Sequence, residues 1–433
     1  MTKRLLWTRI LVVVFVLANL TNGIPSALAT EGEQKVVTFV NWASVEEATQ
    51  PNILAIIEAF EKENPDIKID NQGIAVSDIV KELTIMCTAG NAPDVAQLVS
   101  DNVRQLQASN FLHPLDGLFS EEFVAQLYPD LYDACGLVDG QHYASPWANS
   151  THGLFYNRKL MEEAGFDPNK PPTTIDELTE MMRIAKEKLP DDVIMLQADT
   201  TVRTIGLIHQ WPLMLAFNEG VEPYNLAGEV NMNTEGMKAY MEWMRMLVND
   251  GLVPPGLKYG EFRPYAAQNK LLFGNDWTCF DGIVRSLDAN ITPEIMYETW
   301  GATNLPAGKD GIPRTPVQAH SLVIFKDSDV SEEAAKFVEF MVANKVGVEE
   351  YIASNGFTPV TVNALEVVPS LANSPFITGF SSDVIPTSVP MPTGPDYAMY
   401  AEIIMVAVQE VITTDNAIEP ILANAQKKLE ALF

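Results

Sequence analysis

Four of the seven tryptophans stand beside short polar side chains or prolines, at places where the pattern predicts an element to end. Trp42 follows Asn41 after an early β-rich run, Trp147 follows Pro146, Trp211 precedes Pro212, and Trp277 sits next to Asp276 in FGNDWTCFDG. An aromatic face can stack on the C–H face of a sugar while Asn, Asp and Gln bond its hydroxyls, and such a contact adds about 0.5–1.5 kcal/mol beyond area burial. The same positions also suit tryptophans that fill a core near loop junctions. Asp101 follows the run DVAQLV, and in an open parallel sheet the ligand crevice lies outside the carboxyl ends of the strands. Trp243, in the middle of an amphipathic stretch, reads as core.

Catalytic chemistry leaves few traces. The strings G-x-x-x-x-G-K-[ST], G-x-G-x-x-G, G-x-S-x-G and H-E-x-x-H do not occur, so phosphate-loop, dinucleotide, serine-hydrolase and zincin fingerprints are missing. His113, His142, His152, His209 and His320 are scattered singly, and Cys87, Cys135 and Cys279 include no C-x-x-C arm, so neither a metal centre nor a cofactor is expected. Cys87 and Cys135 could pair in an oxidising compartment, or serve as small buried hydrophobes. Two carboxylates set across a sugar would make a glycan hydrolase, and among 57 acidic residues spacing alone does not show such a pair.

Around these residues the chain alternates strands and helices. Val36–Val40 is β-rich; Ile53, Ile56, Ile57 and Phe60 repeat at helical spacing until Asn64-Pro65; Ile67–Ile69 begins another strand. A βαβ unit of this kind brings a parallel sheet with it. A second unit follows, with Ser77 or Asp78 capping a helix that carries Ile79, Leu83, Met86 and Cys87, Gly90 closing it, and Asp94–Val99 as the next buried strand. Thr174-Ile175-Asp176-Glu177 is a capping box opening a helix with Leu178, Met181, Met182 and Ala185 on its apolar face. Residues 236–248, 332–342, 401–412 and 417–432 are further amphipathic helices.

The 433 residues suffice for two domains, and 47% hydrophobic content excludes pervasive disorder. A formal charge of −29 would repel phosphate backbones, which argues against nucleic-acid partners. Lys3, Arg4 and Arg9, the apolar run Ile10–Ala18 and Ala27-Leu28-Ala29 form a signal-peptide pattern over residues 1–29, cut before Thr30. The apolar run is much shorter than the roughly 20 residues that span a bilayer, and no Cys follows it to anchor a lipoprotein. Cleavage would carry the charge to −32, since three cations and no acids leave with the leader. A soluble periplasmic or extracellular product is expected.

The segments IIEAFEKENPDIKI, TAGNAPDVAQL, HGLFYNRKLMEEAGFD with KPPTTIDEL, HSLVIFKDSDVSEEAAKFVEFM and YIASNGFTPV, which span nearly the whole mature chain in order, together resemble the family 1 extracellular solute-binding proteins of ABC importers. The resemblance implies an α/β chain of type II periplasmic-binding fold, two lobes joined by crossover hinge segments with a ligand cleft between them. It divides the chain into residues 30–144 with 319–358 as one lobe and 145–318 with 359–433 as the other. It implies a monomer that binds a small molecule, with a sugar as the first expectation, and partners in ABC membrane subunits. Asn41, Trp42, Asp101, Trp147, Trp211, Asp276 and Trp277 are then cleft candidates, joined by His320 and by Tyr397 or Tyr400 in PDYAMYAEI. A glycerol phosphate or a polyamine remains an alternative ligand; a secreted glycan hydrolase remains an alternative class.

Overall fold

The computed structural model describes residues 34–433 except 48, 77, 317, 318, 390, 394 and 395, so the expected signal segment and the Ser77 cap lie outside the described residues. Two main sheets are built from β1 (Lys35–Asn41), β2 (Ile67–Gly73), β3 (Val95–Val99), β4 (Ser145–Asn149), β5 (His152–Asn157), β6 (Ile194–Leu196), β7 (Leu271–Trp277), β8 (Trp300–Thr303) and β9 (Ala319–Ile324). The helices that matter most to the site are α1 (Gln50–Glu63), α2 (Ile79–Thr88), α3 (Ile175–Lys188), α4 (Thr204–Phe217), α5 (Glu235–Asn249), α6 (Phe280–Leu287), α7 (Ser331–Ala343), α8 (Tyr397–Thr413) and α9 (Ile418–Glu430).

The first sheet runs β2-β1-β3-β9-β4. Its opening half follows from local pattern. Ile53, Ile56, Ile57 and Phe60 form the buried face of α1, and Asn64 ends the helix by donating its side-chain N–H to the Phe60 carbonyl before Pro65. β1 and β2 then pair in parallel over their full length, from Lys35 opposite Ile67 to Asn41 opposite Gly73. Gly90, at φ +76°, closes the segment after α2 in a conformation that side-chain-bearing residues rarely take. One face of this sheet packs Phe39 and Trp147 against Phe60, Phe337 and Met341. The other packs Val40, Trp42, Ala96 and Leu98 against Leu83 of α2.

The second sheet runs β8-β5-β7-β6, with β5 antiparallel to both of its neighbours. Leu154, Tyr156 and Phe273 face α3, α4, α5 and α8, while Phe155 faces Phe280, Trp300, Phe376 and Phe380. At the start of α3, Thr174 accepts the backbone N–H of Glu177 at 3.2 Å. The Glu177 carboxylate does not return to the capping residue but takes the N–H and hydroxyl of Thr173, one residue earlier. α4 is buried nearly all round, with Pro212 inside it.

The lobe boundary differs from the one expected. β4, assigned from sequence to the second lobe, pairs with β9 in the first sheet, because Trp147 and Ala148 complete that sheet's core. The chain changes lobes at Ser150-Thr151, between β4 and β5. Val360, Ala364, Val368 and Leu371 also pack into the first core, so the last crossing lies beyond Leu371 rather than at residue 359. Among the described residues no helix is long and apolar enough to cross a membrane.

Removing the N-cap hydroxyl with Thr174→Ala is expected to destabilise the protein by about 1 kcal/mol. An unchanged urea midpoint would show that the cap is dispensable.

Candidate functional site

The antiparallel pairing of β5 with β7 sets His152 directly opposite Trp277, at the ends of both strands where they meet the other lobe. α4, packed on the same face, adds His209. The short 3-10 turn Tyr259–Phe262, ahead of β7, adds Tyr259. The rings lie close: His152–His209 at 4.6 Å between centroids, His152–Trp277 at 4.9 Å, His209–Tyr259 at 4.4 Å and Tyr259–Trp277 at 4.5 Å. The joint beside them is sealed: Asn149, Thr151 and His152 are at most 1% exposed, Thr315 donates its hydroxyl to the His152 carbonyl, and Thr358 donates to Asn149. Cys279 packs against the cores of both lobes.

Buried polar atoms without a protein partner among the described residues concentrate here. They include both amide atoms of Asn149, Thr151 Oγ1, all four ring nitrogens of His152 and His209, Gln197 Oε1, Asn275 Oδ1, Trp277 Nε1 and Thr278 Oγ1. Buried polar groups are normally bonded, and each that is not costs about 1–3 kcal/mol. So dense a set, arranged among aromatic rings at the joint of two lobes, has the chemistry of a surface that bonds a polar, partly apolar molecule.

The ionised groups nearby are already engaged. Arg263 donates Nε to Asp276 Oδ2 and Nη2 to Oδ1, Gln197 donates to Oδ2, and the Trp277 N–H donates to Oδ1. Asp276 therefore serves as the counter-ion of a buried pair, its acceptor capacity taken up inside the lobe. Burial disfavours the Arg263 charge, and the adjoining Asp276 more than restores it. Burial, reinforced by His209, holds His152 well below its usual value, and burial with Arg263 nearby pushes His209 down to about 3. Burial raises the Cys279 thiol to about 11. Both imidazoles are thus neutral at ordinary pH, each able to give one proton and accept one.

On the facing lobe, Trp42 is 3% exposed and sets its edge against His320 at 5.2 Å. His320, partly exposed at the start of β9, bonds Tyr351 through Nδ1 at 2.9 Å. Burial pushes its pKa down to about 4. Asn41 spends its side chain locally, donating to Asn71 and accepting the N–H and hydroxyl of Ser44, which fixes the turn leading to α1. Asp101 lies on the short turn Ser100–Asn102 at the end of β3.

Other candidates are placed away from this cluster. Trp147 stacks on Tyr351 at 3.6 Å inside the first core, since β4 belongs to that sheet. Trp211 lies within α4 rather than at an element end, since the helix runs on through Pro212, and it is wholly buried against the edge of Tyr224. Tyr400 packs between Tyr224 and Phe433, whereas Tyr397, at the start of α8, approaches the Thr204 carbonyl at 3.4 Å. Cys87 and Cys135 are buried in separate cores, so the possible disulfide between them does not form. No group of three or more His, Cys, Asp or Glu among the described residues could hold a metal. Sequence reasoning missed His152, His209, Tyr259 and Asn149. The one signal was HGLFYN itself, whose His opens a strand at a crossing.

Two open α/β sheets, each covered by helices and connected by several chain crossings, define the type II periplasmic-binding fold. The chain belongs to the bacterial extracellular solute-binding protein family, whose sequence model matches residues 43–348. It is 23% identical over 390 residues to a putative binding protein of Brucella abortus (strain 2308), covering 89% of this chain and 90% of that protein. It is 25% identical over 369 residues to the maltotriose-binding protein of Pyrococcus abyssi, covering 82% and 72%. An ABC transporter solute-binding protein of Thermotoga lettingae, bound with alpha-D-tagatose, shares the fold at a TM-score of 0.76 and 19% identity, over 92% of this chain and 99% of that one.

Asp276→Ala would leave Arg263 charged in a buried site and is expected to cost about 3–5 kcal/mol in the ligand-free protein. Retention of the parent melting temperature would show that Tyr259 and Cys279 alone satisfy Arg263. His209 is depressed from the ordinary 6.5, so between pH 6.5 and 3 the unfolded chain binds a proton that the folded one refuses. Stability from this group is complete above 6.5 and declines as pH falls, at up to about 1.4 kcal/mol per pH unit. His209→Gln should therefore flatten the fall in urea stability between pH 6.5 and 5; an identical slope in the variant would contradict the assignment.

Proposed function

We propose that this protein is an exported binding protein that captures a neutral sugar between its lobes and delivers it to the membrane subunits of an ABC importer. One observation supports this above the rest: neutral donors and acceptors lacking protein partners converge with aromatic rings at the joint of the lobes. Sugar hydroxyls both donate and accept, and sugar C–H faces suit aromatic walls. The names of the maltotriose-binding and tagatose-bound relatives agree with it. We assign ligand contact to His152, His209, Tyr259 and Trp277 on one side and to Trp42 and His320 on the other.

The charged alternatives fit less well. Arg263 is committed to Asp276, which leaves a phosphate no free guanidinium from this pair and a polyamine no free carboxylate. Asp199 likewise accepts the backbone N–H groups of Thr201 and Tyr259. Hydrolysis would need two carboxylates facing each other across a sugar, one giving a proton and one receiving or attacking. We therefore read the protein as a receptor, acting as a monomer and without nucleic-acid partners. Binding favours the closed arrangement because only there do both lobes touch the ligand.

The test is a thermal-shift screen against mono-, di- and oligosaccharides, phosphorylated polyols and polyamines, with mass spectrometry of each hit. A ligand restricted to the folded state at a hundredfold excess over Kd adds about 2.7 kcal/mol. A sugar recovered intact supports the reading; shortened products would replace it with a hydrolase, and a shift from phosphates or polyamines alone would replace the ligand class. Asn149→Leu separates binding from packing. Its side-chain amide bonds no other group among the described residues, so an apolar isostere should leave the empty protein as stable or more so while reducing the ligand-induced shift. A lowered melting temperature with an intact ligand shift would remove Asn149 from the site.

A further inference from the structure

The first lobe contains a hydrogen-bond chain that runs from the backbone of Ala43 to His320 in β9. The Ala43 N–H donates to Gln97 Oε1 at 3.3 Å, Gln97 Nε2 donates to the Tyr351 hydroxyl at 2.8 Å, and that hydroxyl lies 2.9 Å from His320 Nδ1. A backbone N–H can only donate, so Gln97 must turn its oxygen to Ala43 and its NH2 to Tyr351. The Tyr351 oxygen thereby receives one proton and keeps its own to give. Tyr351 and Gln97 are both 0% exposed, and Trp147 lies flat on the Tyr351 ring, so the hydroxyl is held in place. The hydroxyl proton can go to His320 Nδ1. If His320 donated instead, a buried O–H would be left without an acceptor.

We propose that Gln97 and Tyr351 are positioning residues that fix His320 as its Nε2–H tautomer, so that the cleft presents a hydrogen-bond donor at this point and selects a ligand oxygen that accepts. The ring is steadied on two further sides, with the Trp42 edge at 5.2 Å and the Phe357 ring at 4.9 Å between centroids. His320 remains partly exposed while its Nδ1 is bonded inward, which leaves the Nε2 side facing the rim. Hydroxyl, ring and glycosidic oxygens all satisfy such a donor; an ammonium group does not. The selection step rests on the binding function proposed above, whereas the tautomer does not.

Two measurements keep those parts separate. In ligand-free protein with 15N-labelled histidine, long-range 1H–15N correlation spectra should show a protonated Nε2 and an unprotonated Nδ1 for His320, assigned by its loss in His320→Gln. Tyr351→Phe removes the donor and retains the ring that packs on Trp147, so the His320 signals should move toward a tautomer mixture. A protonated Nδ1 in the parent protein, or an unchanged pattern in Tyr351→Phe, would overturn the proposal. The second measurement titrates maltotriose and D-tagatose. Whichever binds should lose about tenfold in affinity in Tyr351→Phe, and unchanged affinity would overturn the selection step. Failure of every sugar to bind the parent protein would sink the proposed function, and with it the selection step, but not the tautomer assignment.

Discussion

The rest of the molecule depends on a two-residue joint. β4 ends at Asn149 in one sheet and β5 begins at His152 in the other, so Ser150 and Thr151 alone separate them. So short a link leaves little freedom in how the sheet edges face each other, and it forces side chains from both lobes into one region. It also explains why backbone and side chains around it are stitched from several directions, by Thr315 to His152 and by Thr358 to Asn149. A longer linker would have allowed the lobes to drift, and the four-ring cluster around Trp277 would have lost its opposing wall.

Within that frame the electrostatics are economical. The buried Arg263–Asp276 pair makes several hydrogen bonds and lies beside Tyr259, whose ring faces the guanidinium at 4.6 Å. Satisfied in this way, the ions act as scaffold, holding the end of β7 against the segment that carries Tyr259. On the proposed reading, recognition is left to neutral groups. Burial keeps His152, His209 and His320 uncharged, so the region combines amides, imidazoles, an indole and hydroxyls without a net field of its own.

The local half of this architecture was legible in the sequence. α1, α2 and the strands around them follow from the spacing of Ile53, Ile56, Ile57 and Phe60 and from the stops at Asn64-Pro65 and Gly90. The placing of β4 and β9 was not legible by pattern alone. β9 enters the first sheet from more than two hundred residues downstream of β3, and only its antiparallel pairing with β3 and β4 shows where Trp147 must point. The proposed site was half legible for the same reason. Trp42, Trp277 and His320 sit at strand ends, which local pattern can find. His152 and His209 belong together only because β5 pairs with β7 and α4 covers that face, relations between segments far apart in the chain. Asn41 and Asp276 have the right chemistry for a ligand and use it on their own neighbours instead, and nothing in a linear sequence distinguishes a polar residue facing outward from one satisfied within.

The unpartnered atoms around the joint have a further consequence, for the protein without its cargo. If the proposed site binds its solute by closure, closing on nothing would leave Asn149, His152, His209 and Thr278 buried with nothing to bond, at a cost of about 1–3 kcal/mol for each group left bare. An empty protein would therefore shut rarely. On the proposed reading, the groups that grip the solute also act as a safeguard against false signals: a membrane partner that responds to the shut form would seldom meet one that carries no load, and would be spared cycles that move nothing.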